Sequence, residues 1–233
     1  MTPAGDRPRS RAHRPARRGL VLGAGGVLGA AWAIGALVAL EEVTGLDVRD
    51  ADEILGTSAG AVVAALLGCG VSASGLFAHQ QGIEIEGSPL AGHPWDYDIG
   101  TGGALPPRPQ PRIGAGGMLL RNVRRIPKMP PATVLAALTP LGRGSLAGVG
   151  ELVAAVTPDS GWAPRPGVAV VALDYDSGHR VVFGRTGQPR PPLPVAVMAS
   201  ASIPGWFAPQ EFGGRRYIDG GAWSPTSADI MTA

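Results

Sequence analysis

The stretch Ile54-Leu55-Gly56-Thr57-Ser58-Ala59-Gly60-Ala61 predicts how the N-terminal half of the chain folds. Its apolar start is typical of a buried strand, and the small residues after it predict a helix that extends to about Gly70. Glycines on both sides of Ser58 let the backbone turn sharply and expose the serine at the corner. The helix N-terminus behind it suits a developing negative charge. Ser58 is therefore either a nucleophile or a capping serine in a strand–helix turn.

The composition is typical of a globular protein with a hydrophobic core. The chain has 233 residues, 45% of them apolar, and fits one large domain. A net charge of +2 gives no support for nucleic-acid binding. Cys69 is the only cysteine, so neither an internal disulfide nor a thiolate metal cluster can form. We expect neither a metal nor another cofactor.

The N-terminal region combines a basic segment with a long uncharged one. Residues 1–18 are rich in arginine, proline and alanine, which predicts a disordered basic arm that is either solvated or in contact with acidic phospholipid. Gly19 to Leu40 carry no charge, which suits a membrane anchor, a twin-arginine secretory signal or a buried core. The glycine cluster within them favours the core, because a spanning helix rarely tolerates such a cluster.

In that interpretation, Leu20–Leu22 form a strand, Gly23–Gly29 a glycine loop, and Ala30 to about Val43 a buried helix with Trp32, Leu37 and Leu40 near one face. Together with the serine turn, this gives a β–loop–α–β–turn–α unit. Parallel strands place both loops at the same edge of the sheet. The loop departs from a dinucleotide fingerprint at Leu28, so we expect its backbone N–H groups to bind another anionic centre.

The middle of the chain is less regular. Glycine, proline and arginine are frequent from Gly87 to Pro131, and basic residues alternate with apolar ones from Met118 to Lys128. That pattern fits either a lid with a membrane-facing edge or a solvated surface. Further elements are predicted at the following places: helices at Ala132–Leu138, Ser145–Val156 (with Ser145 as N-cap) and Pro194–Ser200, and a strand pair at Val168–Leu173 and Arg180–Gly184.

A nucleophilic serine needs a base, and the histidines are poorly placed to supply it. None of them follows Asp219, which ends a predicted strand before Gly220-Gly221. The order Ser58–Asp174–His179 matches a triad, but turn chemistry explains Asp174 and His179 more simply. A direct pair of Ser58 and Asp219 needs no histidine, because the carboxylate can accept the hydroxyl proton itself.

Four blocks of the sequence, in this order, resemble the patatin-like phospholipase family: Leu20–Gly29, Gly56–Gly60, Ala199–Pro209 and Tyr217–Gly221. The resemblance implies a three-layer α/β/α fold with a mainly parallel central sheet, and lipid acyl hydrolase activity. It implies that Ser58 is the nucleophile, that Asp219 is the base, and that Gly25 and Gly26 donate to the oxyanion. Ser202-Ile203-Pro204-Gly205 would shape the wall near the pair. The supporting glycines are Gly23, Gly29, Gly56, Gly60, Gly220 and Gly221.

The sequence departs from the family pattern in two places. Ala24 and Leu28 replace a glycine and a basic residue of the family's loop, and the chain ends soon after Asp219. We therefore expect a hydrolase domain at residues 19–233, with a variable cap or insert at 85–165 and without a C-terminal strand and helix. The expected substrate is a lipid or phospholipid ester, and the expected location is cytoplasmic, peripheral at the membrane. The alternative is an inactive member that binds membranes or proteins.

Overall fold

The computed structural model describes residues 17–94, 107–165 and 167–231. The strands are β1 (Gly19–Leu22), β2 (Glu53–Thr57), β3 (Gln110–Ile113), β4 (Pro140–Leu141), β5 (Val168–Asp174), β6 (Arg180–Phe183), β7 (Gln210–Phe212) and β8 (Arg215–Asp219). The α-helices are α1 (Gly26–Thr44), α2 (Ala59–Gly68), α3 (Ala73–Gln80), α4 (Gly116–Arg121), α5 (Pro131–Leu138), α6 (Ala147–Val156) and α7 (Leu193–Ala201). The predicted basic arm lies outside the described residues except for Arg17 and Arg18.

A mixed six-stranded sheet forms the centre of the fold. β1, β2 and β5 are parallel neighbours, while β6 and β8 pair with β5 in the antiparallel sense and β7 extends the sheet beyond β8. A separate antiparallel pair is formed by β3 and β4. The predicted α/β class, with parallel central strands flanked by helices, is confirmed.

Strand β5 shows how the two faces of the sheet are covered, because successive side chains point to opposite faces. Val168 and Val170 pack with residues of α2, α6 and α7. Ala169 and Val171 pack on the other face, where residues of the C-terminal 3-10 turn Ala228–Met231 cover them. All seven residues of β5 are buried, as expected for a central strand between two layers.

Helix α1 differs from its prediction in two respects. It begins at Gly26 rather than at Ala30, because the Gly29 N–H donates to the carbonyl oxygen of Gly25 at 2.9 Å and closes a helical turn within the predicted loop. It is also not a buried helix. Trp32 is 77% exposed and Leu40 45% exposed, and only Ile34 and Leu37 are buried in the core with α2 and α3.

The exposed face of α1 bears on the membrane-anchor alternative. In the part of the chain that the structure describes, α1 is the only helix whose length and composition would allow it to cross a membrane, with 19 residues and a mean hydropathy of 1.6. A single helix of this kind near the N-terminus is a weak indication. In this fold α1 connects β1 to β2 and packs against α2 and α3.

Residues 107–165 contain both predicted short helices. Helix α5 starts one residue before the predicted Ala132, and α6 starts at Ala147. Ser145 is not the N-cap, because Leu146 holds that position; the Ser145 Oγ instead accepts the N–H of Ala147 at 3.1 Å. Helix α6 packs into the main core, whereas α4 and α5 contribute to a cluster with Leu173 of β5.

Candidate active site

Two strands that run in opposite directions end at the same point on β5. Strand β2 is parallel to β5, and its last residue, Thr57, pairs with Val171. Strand β8 is antiparallel to β5, and its last residue, Asp219, pairs with the next residue, Ala172. Because β6 occupies the other edge of β5, β2 and β8 share one edge and meet end to end. The residue that follows Thr57 therefore lies beside Asp219.

That residue is Ser58, and it forms a direct hydrogen bond with the aspartate. The Ser58 Oγ donates to Asp219 Oδ2 at 2.7 Å, across 161 positions of sequence. The Gly221 N–H donates to the other carboxylate oxygen, Oδ1, at 2.7 Å. Both residues of the pair are only 5% exposed. The structure thus brings together the serine and the aspartate that were predicted to act as nucleophile and base.

The turn that carries Ser58 has the sharp geometry predicted from its glycines. Ser58 has φ 55° and ψ −122°, a conformation that is unfavourable for a non-glycine residue. There is also no room for a side chain at Gly56, two residues before Ser58, because a Cβ there would lie 2.5 Å from the Cα of Ala61. The structure therefore stores strain at Ser58 and holds it with close backbone packing.

The glycine loop lies against this turn, as the parallel order of β1 and β2 predicted. The Gly60 N–H donates to the carbonyl oxygen of Gly23 at 3.2 Å. Gly26 is the first residue of α1 and has φ +60°, and a Cβ on Gly25 would lie 2.7 Å from the Cα of Gly29. The first N–H groups of a helix have no acceptor within it, so the N–H of Gly26 is not used by α1 itself. Gly26 and Ser58 line the same cavity.

The Asp219-Gly220-Gly221 turn needs its glycines for close backbone contact. A Cβ on Gly220 would lie 2.4 Å from the carbonyl oxygen of Val171. A Cβ on Gly221 would lie 3.0 Å from the Oδ1 atom of Asp219, which accepts that residue's N–H. These contacts hold the carboxylate at the end of β8, in a fixed position relative to β5.

An apolar cavity of about 350 Å³ opens beside Ser58. Side chains of α1, α2, α3 and α6 and of the segment after α7 form its walls, and most of them are aliphatic or aromatic: Ile34, Val62, Val63, Leu66, Leu76, Leu146, Val149, Leu152, Ile203, Trp206 and Phe207. Ile203 belongs to the predicted wall segment, while α6 falls within the predicted cap or insert. The volume and lining fit a small apolar group such as part of an acyl chain.

The electrostatics of the pair are dominated by the burial of its carboxyl group. Burial raises the pKa of Asp219 to about 6, although the hydrogen bonds from Ser58 and Gly221 favour the charged form. The group is thus ionised at neutral pH and remains a better proton acceptor than an ordinary aspartate. A carboxylate with such a pKa is suited to act as a general base near pH 7.

Asp174 and His179 make other contacts and do not form a triad with Ser58. Asp174 Oδ1 accepts the N–H groups of Asp176 and Ser177 within its own turn, and its other oxygen pairs with Arg215. His179 lies within hydrogen-bond distance of Arg125. Turn chemistry and ion pairing therefore account for Asp174 and His179, as the sequence indicated.

Two further side chains near the site were not predicted. His79 lines the cavity, but its Nε2 donates to the carbonyl oxygen of His93 at 2.7 Å. Ser200 is fully buried, and its Oγ accepts the N–H of Ser58 at 2.9 Å. The only hint of a role for Ser200 in the sequence is that it is the one polar residue in the otherwise apolar helix α7. Within residues 17–94, 107–165 and 167–231, no group of three His, Cys, Asp or Glu residues is arranged to hold a metal ion.

A strained serine at a strand–helix turn, bonded to a buried aspartate beside an apolar cavity, defines a class of α/β proteins suited to nucleophilic chemistry on apolar substrates. The chain belongs to the patatin-like phospholipase family, whose family model matches residues 20–232. The resemblance drawn from the four sequence blocks is thereby confirmed.

Among solved structures, the chain is similar to VipD from Legionella pneumophila, with 16% sequence identity and a TM-score of 0.48. The match covers 90% of this chain and 47% of that of VipD, so the chain spans about half the length of this neighbour. No curated protein matches the chain.

Proposed function

We propose that the protein is a serine lipid acyl hydrolase that cleaves carboxylic esters through a pair formed by Ser58 and Asp219. The observation that carries the proposal is the 2.7 Å hydrogen bond from the Ser58 Oγ to the Asp219 carboxylate, beside an apolar cavity. No histidine takes part. The carboxylate accepts the hydroxyl proton directly, and its raised pKa makes that transfer easier than it would be for an exposed aspartate.

The reaction then proceeds in two halves. Ser58 Oγ attacks the ester carbonyl carbon as its proton moves to Asp219, and the carbonyl oxygen becomes an oxyanion. The C–O bond to the alcohol breaks, and the leaving oxygen takes the proton from Asp219, which leaves an acyl group on Ser58. Asp219 next takes a proton from water, whose oxygen attacks the acyl carbon. The carboxylic acid leaves, and Ser58 recovers its proton.

The oxyanion needs preorganised donors, which we assign to the N–H groups of Gly25 and Gly26. They lie where the loop after β1 enters α1, and the positive end of that helix's dipole favours negative charge there. The N–H of Ser58 is not available for this purpose, because Ser200 accepts it. The N–H of Ala59, in the first turn of α2, is a further donor at the cavity.

Labelling with a serine-directed fluorophosphonate tests this function. We expect the intact protein to label and to hydrolyse a short-chain p-nitrophenyl ester, and Ser58→Ala to do neither. Asp219→Asn should keep its circular dichroism spectrum while turnover falls by at least ~100-fold, since a general base contributes roughly 10²–10⁴. Equal labelling of wild type and Ser58→Ala would contradict the proposal, as would a fully active Asp219→Asn variant.

A second candidate function, a non-catalytic membrane-binding module, is favoured by the exposed face of α1. Leu28, Trp32 and Val43 are 84%, 77% and 86% exposed, and they lie on one side of the helix. An apolar stripe with a tryptophan suits the surface of a bilayer. For either function we propose a cytoplasmic protein with peripheral membrane contact. Flotation with phosphatidylcholine liposomes, beside the ester assay, distinguishes binding with turnover from binding alone.

A further inference from the structure

Ser200 lies in the last turn of α7 and is fully buried. Its Oγ donates to the carbonyl oxygen of Val171 at 2.6 Å and accepts the N–H of Ser58 at 2.9 Å. A carbonyl can only accept and an N–H can only donate, so these two bonds fix the direction of the hydroxyl hydrogen. The side chain thus joins the central strand β5 to the residue that carries the proposed nucleophile.

The Ser58 N–H depends on this acceptor because of its place at the turn. Ser58 precedes α2 in a strained conformation, φ 55° and ψ −122°, that is neither helical nor extended. Such conformations persist only where the surroundings hold them. Without Ser200, a buried donor on Ser58 and the acceptor on Val171 would both lose a partner, which is unfavourable in a dry interior.

The same segment holds the other member of the pair. The N–H of Asp219 donates to the carbonyl oxygen of Ser202 at 3.0 Å. The hydroxyl of Ser202 makes a different contact, because it donates to the carbonyl oxygen of Met198 at 2.8 Å, one turn back in the helix. The end of α7 is therefore bonded to the backbone of Ser58 through Ser200 and to the backbone of Asp219 through Ser202.

We propose that Ser200 is a positioning residue for the reaction, and that it keeps the Ser58 Oγ in line with the Asp219 carboxylate. This inference rests on the proposed function, since it assigns a role within that site. Misplacement of a reacting group by about 1 Å can cost roughly 100-fold in rate. Loss of the Ser200 hydroxyl should therefore act on the chemical step more than on substrate binding.

The chain offers a matched control for this test. Ser202 is as buried as Ser200, lies two residues away and also donates one hydrogen bond to a backbone carbonyl. Its contact with Asp219 uses the backbone, which survives Ser202→Ala. We expect Ser200→Ala to lower kcat on a soluble p-nitrophenyl ester by roughly 10- to 100-fold with KM within about threefold of wild type. Ser202→Ala should retain kcat within about threefold.

Labelling by the fluorophosphonate should slow in parallel with kcat in Ser200→Ala, and Ser200→Thr, which keeps the hydroxyl, should recover most of the rate. If Ser200→Ala does not fold, Ser200→Cys gives the same comparison, because a thiol keeps a similar size but forms only weak hydrogen bonds. If folded Ser200→Ala and Ser202→Ala have equal kcat and the fluorophosphonate labels both, the positioning role of Ser200 is overturned. The proposed function is not affected by that result. Absence of labelling in the wild-type protein overturns the proposed function, and this role with it.

Discussion

Gly60 lies so close to Leu22 that a Cβ on Gly60 would be 2.1 Å from the carbonyl oxygen of Leu22. The contact joins the first turn of α2 to the end of β1. It explains why the residue two positions after Ser58 has no side chain, since any Cβ would push the serine turn away from the glycine loop. The distance between the proposed nucleophile and the proposed oxyanion donors is thus set by backbone contact.

Gly60→Ala should accordingly destabilise the protein and lower its activity. Overpacking at a site where only backbone atoms could yield typically costs about 1–3 kcal/mol. Gly35→Ala is the control, because a Cβ at Gly35 has nothing within 4 Å and alanine is favoured over glycine inside a helix by about 1 kcal/mol. Thermal unfolding should show a lower Tm for Gly60→Ala and an equal or higher one for Gly35→Ala. A Gly60→Ala variant with wild-type Tm and kcat would contradict this account of the turn.

The pH dependence of turnover should report the buried carboxyl group. Asp219 must be ionised to accept the proton of Ser58, and its pKa is raised to about 6 by burial. We expect kcat/KM for a soluble ester to fall tenfold per pH unit below about pH 6 and to level off above it. The measurement is a rate profile between pH 4.5 and pH 8.5, with circular dichroism at each pH to show that the fold persists. A rate that stays constant down to about pH 4.5 would rule out a base with this pKa.

Much of the site could be predicted from the sequence because its motifs are local. The glycines around Ser58 and after Asp219 are required by contacts within a few residues or with an adjacent strand, and such requirements leave a clear sequence signature. The meeting of β2 and β8 on one edge of β5 was not predictable in this way. It depends on pairing between residues 114 positions apart for β2 and β5 and 43 to 47 positions apart for β5 and β8, which no local pattern specifies.

Helix α1 and Ser200 show two other limits. Apolar residues occur on all sides of α1, and such a sequence does not tell which side other elements will cover, so the exposure of Trp32 could not be predicted. The start of the helix was misplaced because glycines favour loops, whereas here Gly26 and Gly29 form its first turn. Ser200 has one hydroxyl among apolar neighbours, and only its partners in space give it a role.

The ionised carboxylate of Asp219 should also lower the free energy of unfolding of the protein. The folded-state pKa of Asp219 lies above its unfolded value of 3.8, so folding disfavours the ionised form. The cost is absent well below pH 4, grows between about pH 4 and pH 6, and is complete above that, at about 3 kcal/mol for a shift of roughly two units. Asparagine carries no charge at any pH. We therefore expect the stability of Asp219→Asn relative to wild type to increase from pH 5 to pH 8 by on the order of 1 kcal/mol.

Urea unfolding at the two pH values measures this difference. Asp229 provides a control with no expected change, because its hydrogen bond with Arg180 lowers the pKa of Asp229 and the group is therefore ionised at both pH values. The stability of Asp229→Asn relative to wild type should therefore be the same at pH 5 and pH 8. An Asp219→Asn variant whose relative stability is the same at pH 5 and pH 8 would show that the buried carboxyl group does not carry the proposed shift.

The exposed face of α1 leads to a prediction about how the protein would bind to a lipid bilayer. No lysine or arginine lies between Gly19 and Val48, and the last turn of α1 carries Glu41 and Glu42, so attraction of anionic lipid by this helix is not expected. Contact through Leu28 and Trp32 would instead be apolar, and it would bring Val27, which lines the cavity, near the bilayer. We expect binding to neutral phosphatidylcholine vesicles that changes little between low and high salt.

Trp32→Glu should weaken vesicle binding at least ~10-fold, since it removes a large apolar side chain from the contact and adds a charge. Turnover of a soluble short-chain ester should remain unchanged, because Trp32 does not line the cavity beside Ser58. Leu135→Glu is the matched control: Leu135 is 65% exposed on α5, a helix that contributes to a different apolar cluster. If both variants bind vesicles equally well, the lipid contact does not involve α1. If Trp32→Glu also loses activity on the soluble ester, its effect acts through the fold and not through the membrane.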